Sequence, residues 1–179
     1  MTDAPGRRFP IRYSIQRWDD GKWFYGSLFV VFAALALFNL AEKKSIVSYV
    51  PVLVLDGIIL IALYLMRRVS YVEVGQDGII IRYVFHRLSL PYTALSKVRR
   101  QALEVAFQPA ERRRFVNRFV RRLSKQPAAY IRLDRRNPEL LAEAERRLGA
   151  RMVAGPDIVL PLVDVDQFVA AVKGRLRGA

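Results

Sequence analysis

The sequence contains no cysteine and only one histidine. Without cysteine the chain cannot form disulfide bonds, iron–sulfur clusters or thiolate zinc sites, and it has no cysteine nucleophile. One imidazole, that of His86, cannot supply the histidine pair that many catalytic metal sites need. Glycine-rich phosphate loops, nucleophile elbows and zinc-binding helix motifs are also missing from the sequence. We therefore expect a protein that is not an enzyme and that holds neither a metal nor a cofactor.

Two long apolar runs lie near the N-terminus, from Trp23 to Ala41 and from Ile46 to Met66. An α-helix rises about 1.5 Å per residue, so each run is long enough to cross a hydrocarbon core of about 30 Å. The first run does not end in the small-residue pattern of a signal-peptide cleavage site, which favours a retained anchor. Residues 23–66 are therefore predicted to form a transmembrane helical hairpin.

Basic residues lie just before and just after this hairpin, at the two ends that connect it to the chain termini. Five precede the first run, and Arg67 and Arg68 follow the second, whereas the short loop holds Lys43 and Lys44 beside Glu42. By the positive-inside rule both termini are predicted to be cytoplasmic in a multi-pass protein of the bacterial inner membrane. The predicted organisation is a cytoplasmic N-terminal arm (1–22), the hairpin (23–66) and a cytoplasmic domain (67–179).

One acidic residue, Asp56, lies in the middle of the second apolar run. A charged carboxylate at that depth is costly, and intramembrane acidic residues often mark a pathway or a contact with a partner. Three interpretations are open: a protonated or hydrogen-bonded carboxyl between the two helices, with Ser27 as a possible donor, a contact with a partner protein, or ion or proton transport. In each of them Asp56 is an intramembrane polar contact.

The segment after Arg67 alternates short apolar stretches with turn residues. We predict strands over 70–74, 79–85, 87–90 and 128–133, an extended segment over 97–107 with Val98, Leu103 and Val105 in the core, and another strand over 157–162. Helices are predicted over 138–148 and from Asp164 or Val165 to Leu176. A small antiparallel sheet covered by a C-terminal helix, an α+β fold, is the simplest arrangement of these elements.

The stretch GQDGIIIRYVFHRLSLPYTALSKVRRQ, in which Tyr92, Leu95 and Val98 are spaced by three, resembles the bacterial pleckstrin-homology-like (PH-like) domains that follow short membrane hairpins. The ending AAYIRLDRRNPELLAEAERR followed by AGPDIVLPLVDVDQFVAAVKGRL is similar to the same kind of protein. The resemblance covers roughly residues 20 to 177 in organisation, and it implies a PH-like sheet or barrel without catalytic residues. Related eukaryotic domains bind phosphoinositides through basic residues in the first hairpin loop. Here that loop holds Gln76 and Asp77, which argues against inositide binding.

The segment ERRRFVNRFVRRLSK, residues 111–125, is predicted to form a basic amphipathic helix inserted before the strand at Ala128. Apolar residues including Phe115 and Phe119 fall on one arc at 100° per residue, while the opposite side collects basic residues. Those basic residues are Arg114, Arg118, Arg121, Arg122 and Lys125. The helix can lie on an anionic inner leaflet, pack against the sheet or another subunit, or bind nucleic acid, which we consider the weakest of the three.

Formal net charge is +14. Together these features lead us to expect a non-enzymatic inner-membrane interaction protein, an accessory subunit that assembles or stabilises a larger membrane complex. Its predicted partners are other membrane-protein subunits and the anionic inner leaflet. The alternative is an anionic-lipid-binding or membrane-sensing module that acts through the basic helix.

Overall fold

The computed structural model describes residues 6–106, 123–134, 136–149 and 152–176. The chain divides into two compact units. The first, which we call the hairpin unit, comprises residues 13–69. The second, the sheet unit, combines residues 1–12 with residues 70–179. The predicted basic helix lies almost wholly outside the described residues, which resume at Leu123.

The hairpin unit consists of two helices, α1 (Arg12–Ala41) and α2 (Val50–Val69). Both are long and apolar enough to cross a membrane. Helix α1 begins at Arg12, eleven residues before the predicted span, and residues 12–22 contain no proline that would stop a helix there. Pro51 lies in the first turn of α2, where its missing N–H is best tolerated.

The two helices contact each other through aromatic and polar side chains. At one end the Trp18 and Tyr64 rings meet edge to face, with centroids 5.7 Å apart. At the other end Asn39 Nδ2 donates a hydrogen bond of 2.9 Å to the Tyr49 hydroxyl. A side-chain amide in this position is satisfied within the hairpin itself, because it also donates to the carbonyl of Leu35 at 3.0 Å.

The first sheet of the sheet unit has the antiparallel order β1-β2-β3-β4. Its strands are β1 (Arg7–Pro10), β2 (Tyr71–Val74), β3 (Gly78–Tyr83) and β4 (His86–Pro91). Alternate residues of these strands are buried, including Ile79, Ile81, Leu88 and Leu90. This alternation arises because successive side chains of a strand point to opposite faces, so one face packs into the core.

The second sheet has the order β5-β6-β8-β7. Its strands are β5 (Leu95–Ala102), β6 (Pro127–Leu133), β7 (Val153–Ala154) and β8 (Asp157–Leu160). Helix α3 (Pro138–Leu148) lies between β6 and β7 in the chain, and helix α4 (Val165–Leu176) ends the described residues. In α4 the residues buried in the core are Val165, Phe168, Val169 and Val172. The predicted α+β class is confirmed, with two four-stranded antiparallel sheets where one small sheet was expected.

Two local expectations are wrong. Val98 and Leu103 are buried as predicted, but Val105 is 63% exposed, because the chain leaves the sheet after Ala102 in a 3₁₀ turn. The predicted strand 79–85 ends at Tyr83, so Phe85 lies in a turn.

The N-terminal segment is part of the sheet unit, which differs from the predicted separate arm. Strand β1 pairs along its length with β2, from Arg7 opposite Val74 to Pro10 opposite Tyr71. The Phe9 ring is buried and meets the Phe168 ring of α4 edge to face, with centroids 5.4 Å apart. An apolar residue in the middle of a basic stretch is therefore placed in the core by pairing with a strand sixty residues later in the chain.

Candidate functional site

Most of the predicted contact residues of the basic helix lie outside the described residues: Arg114, Phe115, Arg118, Phe119, Arg121 and Arg122. Lys125 is described, and it is exposed in the turn that precedes β6. Leu123, two residues earlier, is buried. At the end of the segment, therefore, the Leu123 side chain is buried in the sheet unit and the Lys125 side chain is exposed to solvent.

Asp56 is buried within the hairpin unit, with 3% of its surface exposed. Asp56 and Leu63 of α2 and Tyr49, which directly precedes the helix, are spaced by seven residues, so they lie along one stripe. Tyr49 contacts Asn39 and Leu63 lies against Gly21, so this stripe faces α1. The Asp56 carboxylate is therefore enclosed by the two helices.

Neither carboxylate oxygen of Asp56 has a hydrogen-bond donor among the described residues. The hydroxyl of Ser27, the donor considered from the sequence, instead donates to the carbonyl of Phe24 on its own helix at 2.9 Å. A buried polar group without a hydrogen-bond partner costs free energy. Asp56 is thus an isolated polar group in the middle of the hairpin.

A charged cluster lies on one face of the second sheet, around Asp157 at the start of β8. Arg132, directly opposite on β6, holds the carboxylate in two hydrogen bonds, from Nε at 2.8 Å and from Nη2 at 3.0 Å. Arg99 of β5 donates a third, from Nη2 at 2.9 Å. The Arg99 guanidinium also lies over the Tyr130 ring, 5.6 Å from its centroid. Two guanidinium groups share one buried carboxylate, which leaves the cluster positively charged.

The pKa values in this cluster follow from its geometry. Burial acts to raise the pKa of Asp157, but hydrogen bonds and charge from Arg132 and Arg99 outweigh it and hold that pKa below its ordinary value. The hydrogen bond and the negative charge of Asp157 raise the pKa of Arg132. Because the pKa of Asp157 is lowered and that of Arg132 is raised, this pair stays charged near neutral pH, and the cluster is suited to cross-linking β5, β6 and β8 and not to proton transfer.

A second group of arginines lies on the outer face of the first sheet. Two guanidinium groups lie near the Tyr71 ring, that of Arg8 4.8 Å and that of Arg82 5.6 Å from its centroid. Arg82 on β3 is directly opposite Arg87 on β4, and both are exposed. Neither forms an ion pair with any described residue, and like charges directly opposite in a sheet are unfavourable.

These two arginines flank the turn between β3 and β4. Tyr83 and His86 form the last pair, which leaves Val84 and Phe85 as a two-residue loop. Val84 has a φ of 54°, in the left-handed region that β-branched residues rarely adopt. Its N–H donates to the Ser70 hydroxyl at 3.2 Å, and Phe85 is 94% exposed. The turn thus displays an aromatic side chain where asparagine or glycine is usual.

Sequence reasoning misses both arginine groups. In the sequence, Arg82 and Arg87 are symmetric about Val84 and Phe85, and a two-residue loop there would have placed them opposite each other. The predicted strand 79–85 runs through this loop, so the prediction does not place Arg82 opposite Arg87. In the Asp157 cluster the three charged side chains come from strands far apart in sequence, so only strand pairing brings them together.

The chemistry available elsewhere in the described residues is limited. Within the described ranges, no group of three or more histidine, aspartate or glutamate side chains is placed to hold a metal ion. His86 is exposed at the beginning of β4. Comparison with protein-family models, with curated proteins and with solved structures finds no match to this chain. Its function is therefore inferred from its own residues and geometry.

Proposed function

We propose that this chain is a non-enzymatic interaction protein of the bacterial inner membrane. In this proposal α1 and α2 cross the membrane, and the sheet unit is a cytoplasmic PH-like domain. The protein acts as an accessory subunit that assembles or stabilises a larger membrane complex. Two antiparallel sheets with a helix at the C-terminal end support the PH-like assignment.

The observation that carries the proposal is the pairing of β1 with β2 across the hairpin. Ile11 N–H donates to the Ser70 carbonyl at 3.3 Å, so the chain entering α1 and the chain leaving α2 are hydrogen-bonded neighbours. Paired strands must lie in one compartment, which supports placing both flanks on the same side of the membrane. The excess of basic residues in these flanks favours the cytoplasmic side.

Arg12, where the chain enters α1, forms further hydrogen bonds that fix this connection to the sheet unit. Its backbone N–H donates to the carbonyl of Pro161 at 2.7 Å, and its Nε donates to the carbonyl of Leu162 at 2.9 Å. The guanidinium also donates to the side chain of Gln126. A compact unit tied to the bilayer by two chain connections is better suited to holding a fixed place in an assembly than to reaching distant partners.

Purification of the intact protein from its native membrane tests this proposal. In mild detergent we expect one or more membrane proteins to co-purify in constant ratio. A variant in which an unrelated two-span hairpin replaces residues 23–66 shows whether the partner proteins bind the hairpin or the sheet unit. If several mild detergents all yield the protein alone, and cross-linking in membranes captures no neighbour, the proposal is wrong.

The second candidate function is binding of anionic lipid through residues 111–125. The exposed Lys125 at the end of this segment favours it. The test uses the full chain, since a fragment beginning at Arg67 would lack β1. Native mass spectrometry should show retained phosphatidylglycerol but little phosphatidylcholine.

In this test Arg114, Arg118, Arg121 and Arg122 are changed together to Gln. We expect that variant to lose the retained phosphatidylglycerol. A control that removes the same charge elsewhere changes exposed basic residues to Gln: Arg136, Arg146, Lys173 and Arg175. Equal loss in both variants would show that net charge, and not this segment, retains the lipid.

A further inference from the structure

The β3–β4 turn lies at the end of the first sheet where the chain leaves α2. Val84 is hydrogen-bonded to Ser70, and Ser70 directly follows Val69, the last residue of α2. Strand β2 runs away from that point, so the β2–β3 loop at Gln76 lies at the opposite end of the sheet. Of the two loops, only the β3–β4 turn is held beside the connection to the candidate membrane span.

The distance along the chain is short enough for this turn to reach a membrane surface. The Tyr64 ring meets the Trp18 ring edge to face and has the Arg68 guanidinium 5.5 Å from its centroid, a combination typical of the membrane–water interface. Ser70 is six positions after Tyr64 in the chain, a rise of about 9 Å at 1.5 Å per helical residue. The headgroup region on each side of a bilayer is of similar thickness, about 5–8 Å. A turn fixed to Ser70 is therefore within reach of the headgroups.

The composition of the turn is unfavourable in water. Phe85 is almost fully exposed, and Val84 adopts a left-handed backbone conformation for which asparagine, aspartate or glycine is far better suited. Strained backbone conformations of this kind are found most often at functional sites. An aromatic ring at the interface of a bilayer removes apolar surface from water, which would offset this cost.

The charges around the turn match an anionic surface. Arg82 and Arg87 are opposite each other and exposed, and neither charge is neutralised by an ion pair among the described residues. Lipid phosphate groups would neutralise these two positive charges and accept hydrogen bonds from the guanidinium groups.

We propose that the β3–β4 turn is a membrane-contact site, in which Phe85 enters the headgroup region of the adjacent leaflet and Arg82 and Arg87 bind anionic lipid phosphates. This inference rests on the proposed insertion of α1 and α2. It assigns lipid contact to a surface separate from residues 111–125.

Site-directed spin labelling of the full chain in vesicles tests the inference, since the chain has no native cysteine. The label is placed in three variants: Phe85→Cys at the turn, Gln76→Cys at the opposite end of the sheet, and Leu37→Cys on the exposed face of α1. Vesicles contain phosphatidylcholine alone or with an equal part of phosphatidylglycerol. Collision rates with oxygen, which dissolves in lipid, and with a water-soluble nickel chelate report the surroundings of each label.

In the mixed vesicles we expect a several-fold higher ratio of oxygen to nickel collisions for F85C than for Q76C. Adding R82Q and R87Q should lower the ratio for F85C towards that for Q76C. The control pair R136Q and R146Q, which removes equal charge from exposed positions, should leave it unchanged. In phosphatidylcholine alone the ratio for F85C should also be lower.

Hydrogen exchange of the wild-type protein gives a measurement that needs no label. Amides of residues 82–87 should exchange several-fold more slowly in the mixed vesicles than in phosphatidylcholine. Equal exchange in the two lipids, together with a nickel-accessible label at F85C, would overturn the inference.

Two other outcomes separate this inference from the proposed function. If F85C is accessible to nickel while L37C is accessible only to oxygen, the turn does not contact lipid but the helices still cross the membrane. If both are accessible to nickel, the two-span proposal fails as well. Protection of F85C from both reagents would indicate packing on a second copy of the chain, and that also overturns the inference.

Discussion

Asp157 couples the stability of the second sheet to pH. Its pKa lies below the ordinary value of 3.8 in the folded chain, because the charge and hydrogen bonds of Arg132 and Arg99 outweigh burial. The ionised carboxylate therefore stabilises the fold above about pH 4, and this contribution is lost as pH falls through the folded pKa.

We predict that Asp157→Asn lowers the thermal midpoint at neutral pH by about 4–8 °C, the equivalent of about 2 kcal/mol. The difference between variant and wild type should shrink in acid. Asp166→Asn is the matched control, because the Asp166 side chain is 70% exposed in its ion pair with Arg100 and such pairs contribute about 0–1 kcal/mol. Equal losses in the two variants would contradict the importance of burial at Asp157.

Asp56 leads to the opposite expectation, because its carboxylate oxygens are buried without a donor among the described residues. Asp56→Leu should raise the thermal midpoint of the protein in detergent, by the equivalent of about 1–3 kcal/mol. Asn39→Leu should lower it, since that change removes a hydrogen bond to Tyr49. A lower midpoint for Asp56→Leu would mean that the carboxyl has a stabilising partner, and it would direct attention to a bound subunit or ion.

At the scale of elements, β1 is the clearest example of a strand that depends on distant residues. Four residues rich in arginine give little β-strand signal, and one apolar residue, Phe9, carries their packing. By contrast, the hairpin of β2 and β3 follows directly from the turn residues Gly75 to Gly78 and the apolar alternation on either side. Local periodicity therefore predicts that hairpin, but it cannot predict a short strand whose partner is sixty residues away.

Two phenylalanines in contrasting environments test the role of β1. Phe9 is 1% exposed and packs on Phe168, whereas Phe85 is 94% exposed. We predict that Phe9→Ala lowers the free energy of unfolding of the sheet unit by about 3–5 kcal/mol. Phe85→Ala should change it by less than about 0.5 kcal/mol in detergent. Urea titration followed by limited proteolysis measures both, and a small effect at Phe9 would show that β1 is dispensable.

For the whole molecule, the central prediction is that both flanks of the hairpin lie on the cytoplasmic side. A membrane-impermeant thiol reagent applied to intact cells should modify Ser45→Cys, in the loop between α1 and α2. It should modify Arg8→Cys and Gln76→Cys only after the membrane is opened. Modification of Arg8→Cys and Gln76→Cys from different sides would be incompatible with the pairing of β1 and β2. Modification of both from outside would invert the proposed orientation.

The sequence alone was sufficient for the properties that depend on local composition. Two runs of apolar residues predict two membrane-length helices, and short alternating segments predict an antiparallel α+β unit, because both patterns are set by residues close together in the chain. The predicted contact helix at 111–125 stays a prediction, since its residues lie almost wholly outside the described part of the structure.

Tertiary structure decided what depends on pairing between distant segments. It placed residues 7–10 in the first sheet, enclosed Asp56 between two helices, and gathered Arg99, Arg132 and Asp157 on one face. It also set Arg82 opposite Arg87 around an exposed Phe85. Strand register and side-chain burial are determined by contacts across the fold, so residue spacing alone could suggest the Arg82–Arg87 pair once the loop is known, but none of the others.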